Sequence, residues 1–299
     1  MANTTFSGPI RSENGMKLIS KNTTSGLVSD RTVGDYPKDA RRWYLEEWFN
    51  RRPGINANLD QASTVEVQRT LNYDFEALGT NMTSALVTFG ATTGGILATT
   101  AGADQDQAII APHLDDDGTA DTGAITAWSG CQWGTENETH WETSIMLPAI
   151  DNQKVWAGLK LTNDQLVATD ANQAFFKFQT DATNSEAFTD FTKLHFVHSI
   201  GGTDYISQLP ITVAANTPYH LKIKINSDRK ASIFVNGIQY NVTTTSGSTG
   251  GTAVTTGTTP TGALTDDVDF IPYNGIEAGA GAAEALNTHF VAMSRLVYE

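Results

Sequence analysis

Apolar residues in most of this chain recur in short runs of period two, broken by Gly, Asn, Asp and Pro, and the pattern sets in near residue 62. Strands are predicted at STVEVQRTL, YDFEAL, ALVTFG, GGILATT and QAIIAP, then at AITAWSG, HWETSIML, KVWAGLKL, AFFKFQT, KLHFVHSI, YISQL, YHLKIKI and ASIFVNGIQY, with NTHFVAMSRLVYE closing the series. So many short strands each bury one face only by folding as two packed antiparallel sheets. No βαβ alternation and no glycine-rich phosphate loop interrupts them. The expected fold is therefore an all-β sandwich over residues 61–299. Within it, the Thr-, Ser- and Gly-rich stretch 243–263 reads as a flexible loop.

Residues 1–60 have a different pattern. MANTTFSGPIRSENGMKLIS keeps neither a helical nor a strand period, so any order in it comes from a partner surface. In KDARRWYLEEWFNRRPG, residues 38–54, the spacing of Trp43, Leu45, Trp48 and Phe49 predicts a short amphipathic helix stopped by Pro53-Gly54. Arg41, Arg42, Arg51 and Arg52 bracket its aromatic side. Trp and Arg are common anchors of protein interfaces, so this element is expected either to pack on its own domain or to clamp a neighbouring subunit.

Charge sharpens the division. Residues 1–52 carry nine Lys and Arg against six Asp and Glu, whereas the remainder carries ten against twenty-seven, within a formal net charge of −14. An acidic body disfavours nucleic acid, which needs clustered cations, and keeps free copies apart in solution. Neither a secretion-type leader nor an apolar run of membrane-spanning length is seen, which points to synthesis in a cytoplasm with no membrane partner.

Candidate chemistry is sparse. Cys131 stands alone, with no base motif beside it, and reads as a small buried residue. Glu136, Glu138 and Glu142 in TENETHWE come nearest to the paired carboxylates of a glycosidase but lack the intervening Asp. Asp115, Asp117 and Asp121 in DDDGTAD offer hard oxygen ligands for calcium, without the closing Glu of a complete loop. His195 and His198 fall on opposite faces of one strand and read as ordinary strand histidines. The expectation is a protein that is not an enzyme and needs no cofactor. Trp128, Trp133, Trp141 and Trp156 are the residues a sugar-binding reading would use, and core packing is their alternative role.

Two segments resemble known families. In PYHLKIKINSDRKASIFVNGIQY, residues 218–240, an alternating strand runs through an Asn-Ser-Asp turn into a strand ending in Val-Asn-Gly. It resembles the late hairpin of laminin-G and concanavalin A-like jelly rolls, and the resemblance implies a curved two-sheet sandwich. ANTTFSGPIRSENG, residues 2–15, resembles a leader found in virion structural proteins of tailed phages from marine cyanobacteria and similar hosts. That resemblance implies a capsid decoration or cement protein on the virion surface, with the major capsid protein as partner and self-association, a trimer being favoured. Phe6, Pro9 and Arg11 of the leader, with Arg41, Arg42, Trp43, Trp48, Phe49, Arg51 and Arg52, are then the candidate contacts to capsid or subunit. A carbohydrate-binding module for attachment to a cell-surface glycan is the alternative.

Overall fold

A computed structural model describes residues 16–21, 28–33, 42–56, 75–79, 81–90, 94–112, 133–181, 186–279 and 281–297 of the chain. Among them every regular element is a strand. The first half contributes β1 (Met16–Lys21), β2 (Val28–Val33), β3 (Arg42–Glu47), β4 (Gly54–Asn56), β5 (Phe75–Leu78), β6 (Val87–Phe89), β7 (Ile96–Thr99), β8 (Gln107–Pro112), β9 (Trp133–Gly134) and β10 (His140–Met146). The second half contributes β11 (Gln153–Lys160), β12 (Gln173–Gln179), β13 (Lys193–Ile200), β14 (Thr203–Thr212), β15 (Pro218–Ile225), β16 (Ala231–Val235), β17 (Ile238–Tyr240), β18 (Thr252–Ala253), β19 (Asp269–Ala278) and β20 (Ala285–Leu296).

These strands form the expected jelly-roll sandwich. An eight-stranded sheet runs β17-β16-β15-β10-β20-β7-β6, with β3 also on β20, and a ten-stranded sheet runs β18-β14-β13-β12-β11-β19-β8-β5-β4, with β9 on β19. Alternate side chains from both fill the space between them: Trp141, Ile223, Ile233 and Met293 from one sheet meet Val155, Phe176, Phe196 and Ile276 from the other. Asn274 crosses this core, its amide donating to Thr143 Oγ1 at 2.8 Å. The strands β1 and β2 pair with each other and with neither large sheet.

Three expectations are corrected. The predicted helix at 38–54 is the strand β3, laddered to β20 from Arg42↔Leu296 to Glu47↔Val291. The backbone bonds offered by β20 override a marginal helical period. Because β4 then pairs with β5, residues 42–56 belong to the sandwich and not to the preceding arm. The segment 243–263 is pinned instead of loose: β18 runs parallel to β14, Val254 N–H donates to Gln208 O at 3.0 Å, and Thr261 N–H donates to Ala231 O at 3.0 Å. Most of its small polar side chains stay outside while its backbone is tied, and the buried Thr261 accepts from Ala231 N–H through Oγ1 at 2.8 Å.

One central strand escaped the pattern altogether. β19, DFIPYNGIEA, contains Pro272, Asn274 and Gly275, which ordinarily argue against an interior strand. On one side it pairs with β11 from Ile271 to Ala278; on the other, β9 meets Asp269 and Phe270 while β8 meets Asn274–Glu277. Pro272 sits in the gap between those two pairings, so its missing N–H interrupts no ladder on that side. Gly275 is required because the Trp156 indole lies over it: a Cβ there would come within 2.3 Å of the ring. Replacing Gly275 with Ala is expected to cost about 1–3 kcal/mol through overpacking. Gly247, whose added Cβ would meet nothing nearer than 3.8 Å, is expected to tolerate Ala with little change. Urea unfolding of both variants checks this contrast.

Candidate functional site

The segment that follows the arm is held by side chains as well as by the ladder. Arg42 donates to Glu138 O and to Ser294 Oγ, each at 3.0 Å, and faces Glu138 Oε2 at 3.7 Å. Leu45 turns toward the core, and Trp43 packs at a tilt against buried Trp133 with ring centroids 5.1 Å apart. After β3 the backbone enters the left-handed region at Phe49, φ 52°, where the Phe49 N–H donates to Glu47 Oε1 at 2.6 Å. That turn sends Phe49 into the core, edge-on to Phe75. Arg52 then donates to Ser84 O at 3.0 Å. The chain has thus crossed from one sheet to the other within a few residues.

The predicted contact residues consequently have different roles. Phe6, Pro9, Arg11 and Arg41 lie outside the described residues. Phe49 is a core residue, which corrects its assignment as an interface contact; Arg42 and Arg52 hold their own domain. Trp43 (39% exposed) and Trp48 (45%) remain at the surface with Tyr44 (41%), and Arg51 is exposed. Trp133, Trp141 and Trp156 are buried, so the sugar-platform role weighed for them yields to core packing, while Trp128 falls outside the described residues.

Trp48 has a neighbour that no local pattern could reveal. It stacks on Phe290 of β20, centroids 4.7 Å apart, and Phe290 in turn lies 5.7 Å from His220 of β15. A bulge creates this row: Ser144 faces Phe290 while Ile145 faces Thr288, so His289 is the extra residue, and its Nδ1 lies 3.0 Å from Ser144 Oγ. Beside the row, the Glu142 carboxylate lies 2.9 Å from His220 Nε2 and 2.7 Å from Lys222 Nζ. Burial alone would raise the Glu142 pKa, but the His220 hydrogen bond and the Lys222 charge overcome it and hold the carboxylate at about 2. His140 is pushed well below the usual imidazole value by burial and by the nearby Arg42, Lys224 and Lys222, and so is neutral.

The outward face of the ten-stranded sheet is also built, but it is covered. Lys154, Lys160 and Lys177 point away from the inter-sheet core, and none is exposed. Lys154 bonds Glu277 at 2.7 Å and Asp181 at 3.0 Å; Lys160 bonds Gln173 at 2.6 Å and Asp170 at 2.9 Å; Lys177 bonds Glu186 and Gln165. Burial lowers the Lys177 pKa to about 8 against the pull of Glu186. Asp170 also accepts from the Leu161 and Thr162 backbones, so each pair fastens a covering loop onto the sheet. Trp156, Phe175 and Tyr273 form an aromatic layer under these loops. The Tyr273 hydroxyl, the Trp156 indole N–H and the His195 ring nitrogens are buried there without a hydrogen bond to the described residues.

The remaining candidates are accounted for individually. His195 stacks on Phe188 at 4.0 Å and His198 on Tyr205 at 4.6 Å; burial lowers their pKa values to about 4 and about 3, so both are neutral packing groups. Glu136 caps a turn through Thr135 and the Asp267 N–H, Glu138 pairs with Arg42, and Glu142 is committed to His220 and Lys222. With its pKa at about 2, Glu142 is no general acid. Asp115, Asp117, Asp121 and Cys131 lie outside the described residues, among which no group of three His, Cys, Asp or Glu could hold a metal ion.

No protein-family model matches this chain, and no curated protein matches it in sequence. Among solved structures it is similar to a glycosyl hydrolase family 16 protein from Mycobacterium smegmatis, at 7% identity and TM-score 0.46, over 83% of this chain and 98% of that one. It is similar to a Bacillus licheniformis beta-glucanase at 10% identity and TM-score 0.43, over 85% and 98%. The potassium-bound Emp46p carbohydrate recognition domain aligns at 8% identity and TM-score 0.42, over 79% and 94%. Two of these three are glycan hydrolases by name. This corrects the expectation that the chain is not an enzyme, because the sandwich is no ground for excluding catalysis.

The acid limb of stability tests the Glu142 network. Its folded pKa lies below the usual 4.5, so its stabilisation is full above that value and is lost as the pH falls toward 2. Glu142→Gln is expected to lower stability at pH 7 and to flatten the decline between pH 4.5 and 2, as read from thermal melts across that range.

Proposed function

We propose that this chain is a virion structural protein of a tailed phage, of the capsid decoration type, with the segment before β3 engaging the major capsid protein and the sandwich displayed outward. The observation that carries this reading is the leader at residues 2–15, which resembles those of virion proteins. The fold supports it mechanically. The chain leaving the arm is laddered into one sheet by β3 and into the other by β4, so a load on the arm is borne by backbone bonds in both layers. The acidic body keeps unassembled copies apart, and many weak arm contacts on a repeating lattice add by effective concentration. Self-association as a trimer fits a capsid lattice of this kind.

A second reading, recognition of a cell-surface glycan, is favoured by the exposed stack of Trp48 on Phe290. Aromatic faces with polar groups at their rim suit pyranose rings.

Truncation tests the arm. Because β3 begins at Arg42 and β1–β2 pair only with each other among the described strands, a chain lacking residues 2–33 is expected to keep its melting temperature. It is also expected to lose co-sedimentation with capsids of the encoding phage. Undiminished co-sedimentation of this truncated chain would overturn the anchoring role.

A further inference from the structure

We infer that the outward face of the eight-stranded sheet is a binding site for an uncharged glycan, centred on the row Trp48–Phe290–His220. This rests on the glycan-recognition reading and names its site and ligand class. The ten-stranded sheet is closed by its loops, whereas here Trp48 and Tyr44 are exposed and Phe290, His220 and Glu142 are half-exposed. Trp48 lies face to face on Phe290, centroids 4.7 Å apart, and Phe290 is braced by the tilted His220 ring at 5.7 Å, so the exposed outer face of Trp48 is a supported platform on which a sugar ring can stack through its C–H face.

Hydrogen-bonding groups border that platform, already fixed in place. The Glu142 carboxylate is held by His220 and Lys222, and Glu46 Oε2 accepts from the Trp48 indole at 3.3 Å, orienting the ring. A site whose polar groups are positioned before the ligand arrives loses little entropy on binding. The register places Ala292 between Glu142 and Glu46, leaving a shallow floor between two carboxylates suited to sugar hydroxyls.

Charge selects the ligand class. Arg42, Lys222 and Lys224 on this face balance Glu46, Glu138 and Glu142, so the patch is neutral within a chain of net charge −14. A sulfated or uronate polymer meets long-range repulsion from the body and no local excess of cations. A neutral polysaccharide meets neither obstacle.

The test is a glycan array and a tryptophan-fluorescence titration with the full chain, Trp48→Ala and Phe290→Leu, using melting temperature to confirm that the variants are folded. The expected result is binding of the full chain to neutral glycans, weakened at least tenfold by each substitution. Undiminished binding in both folded variants would overturn the site while leaving glycan recognition standing. Binding confined to sulfated or uronate glycans would overturn the ligand class. Silence of the full chain on every glycan would overturn both the site and the reading it rests on.

Discussion

The pairing of β3 with β20 is the interaction on which the rest of this molecule depends. β20 is the longest strand, and it pairs with β10 along one edge and with β7 and then β3 along the other. The β3 ladder sets the height at which the chain leaves the sheet, so that the turn at Phe49 drops one ring into the core while Trp48 stays outside on Phe290. Shifting that ladder by one residue would exchange the faces, sending Leu45 outward and Tyr44 and Glu46 inward. Burying Glu46 would be costly, so the register is specified by polarity as well as by backbone bonds.

The two sheets solve different physical problems. The eight-stranded sheet follows the ordinary rule, with one face apolar and the other polar, as the alternation of His220, Lys222 and Lys224 with Leu221, Ile223 and Ile225 displays. The ten-stranded sheet is covered on both faces, yet three of its buried outward residues, Lys154, Lys160 and Lys177, are lysines. Desolvating an ammonium costs several kcal/mol, and each lysine here recovers that through a carboxylate carried by a neighbouring strand or covering loop. Removing one partner would strand a buried charge, which makes the loops as necessary to this layer as its strands.

This difference also explains how much the sequence could disclose. Strands with clean alternation, such as β10, β15 and β16, were readable because one of their faces is wet. β19 was not, because its fully buried register tolerates Pro272 and Gly275 for reasons that lie in its neighbours. WYLEEW has apolar residues compatible with a helix and with a strand, and only the open edge of β20 decides between them. Thr-rich 243–263 looked loose because it lacks large apolar side chains; its backbone, with the buried Thr243 and Thr261, makes the contacts. Trp48 was conspicuous in the sequence, but Phe290 lies more than two hundred residues away, and its place beneath Trp48 depends on a bulge at His289.

Function divides along the same line. A surface that must meet a partner cannot lie beneath covering loops that also neutralise buried lysines, because uncovering it would expose the aromatic layer and break the ion pairs together. The outward face of the eight-stranded sheet carries no such obligation, because its core is already sealed by the inward residues. An arm that enters by β3 and an aromatic platform at Trp48 therefore sit on the one layer of the sandwich that is free to specialise. The two proposals are then compatible in one molecule, since the anchoring proposed would use the segment before β3 and the recognition proposed would use the face that begins after it.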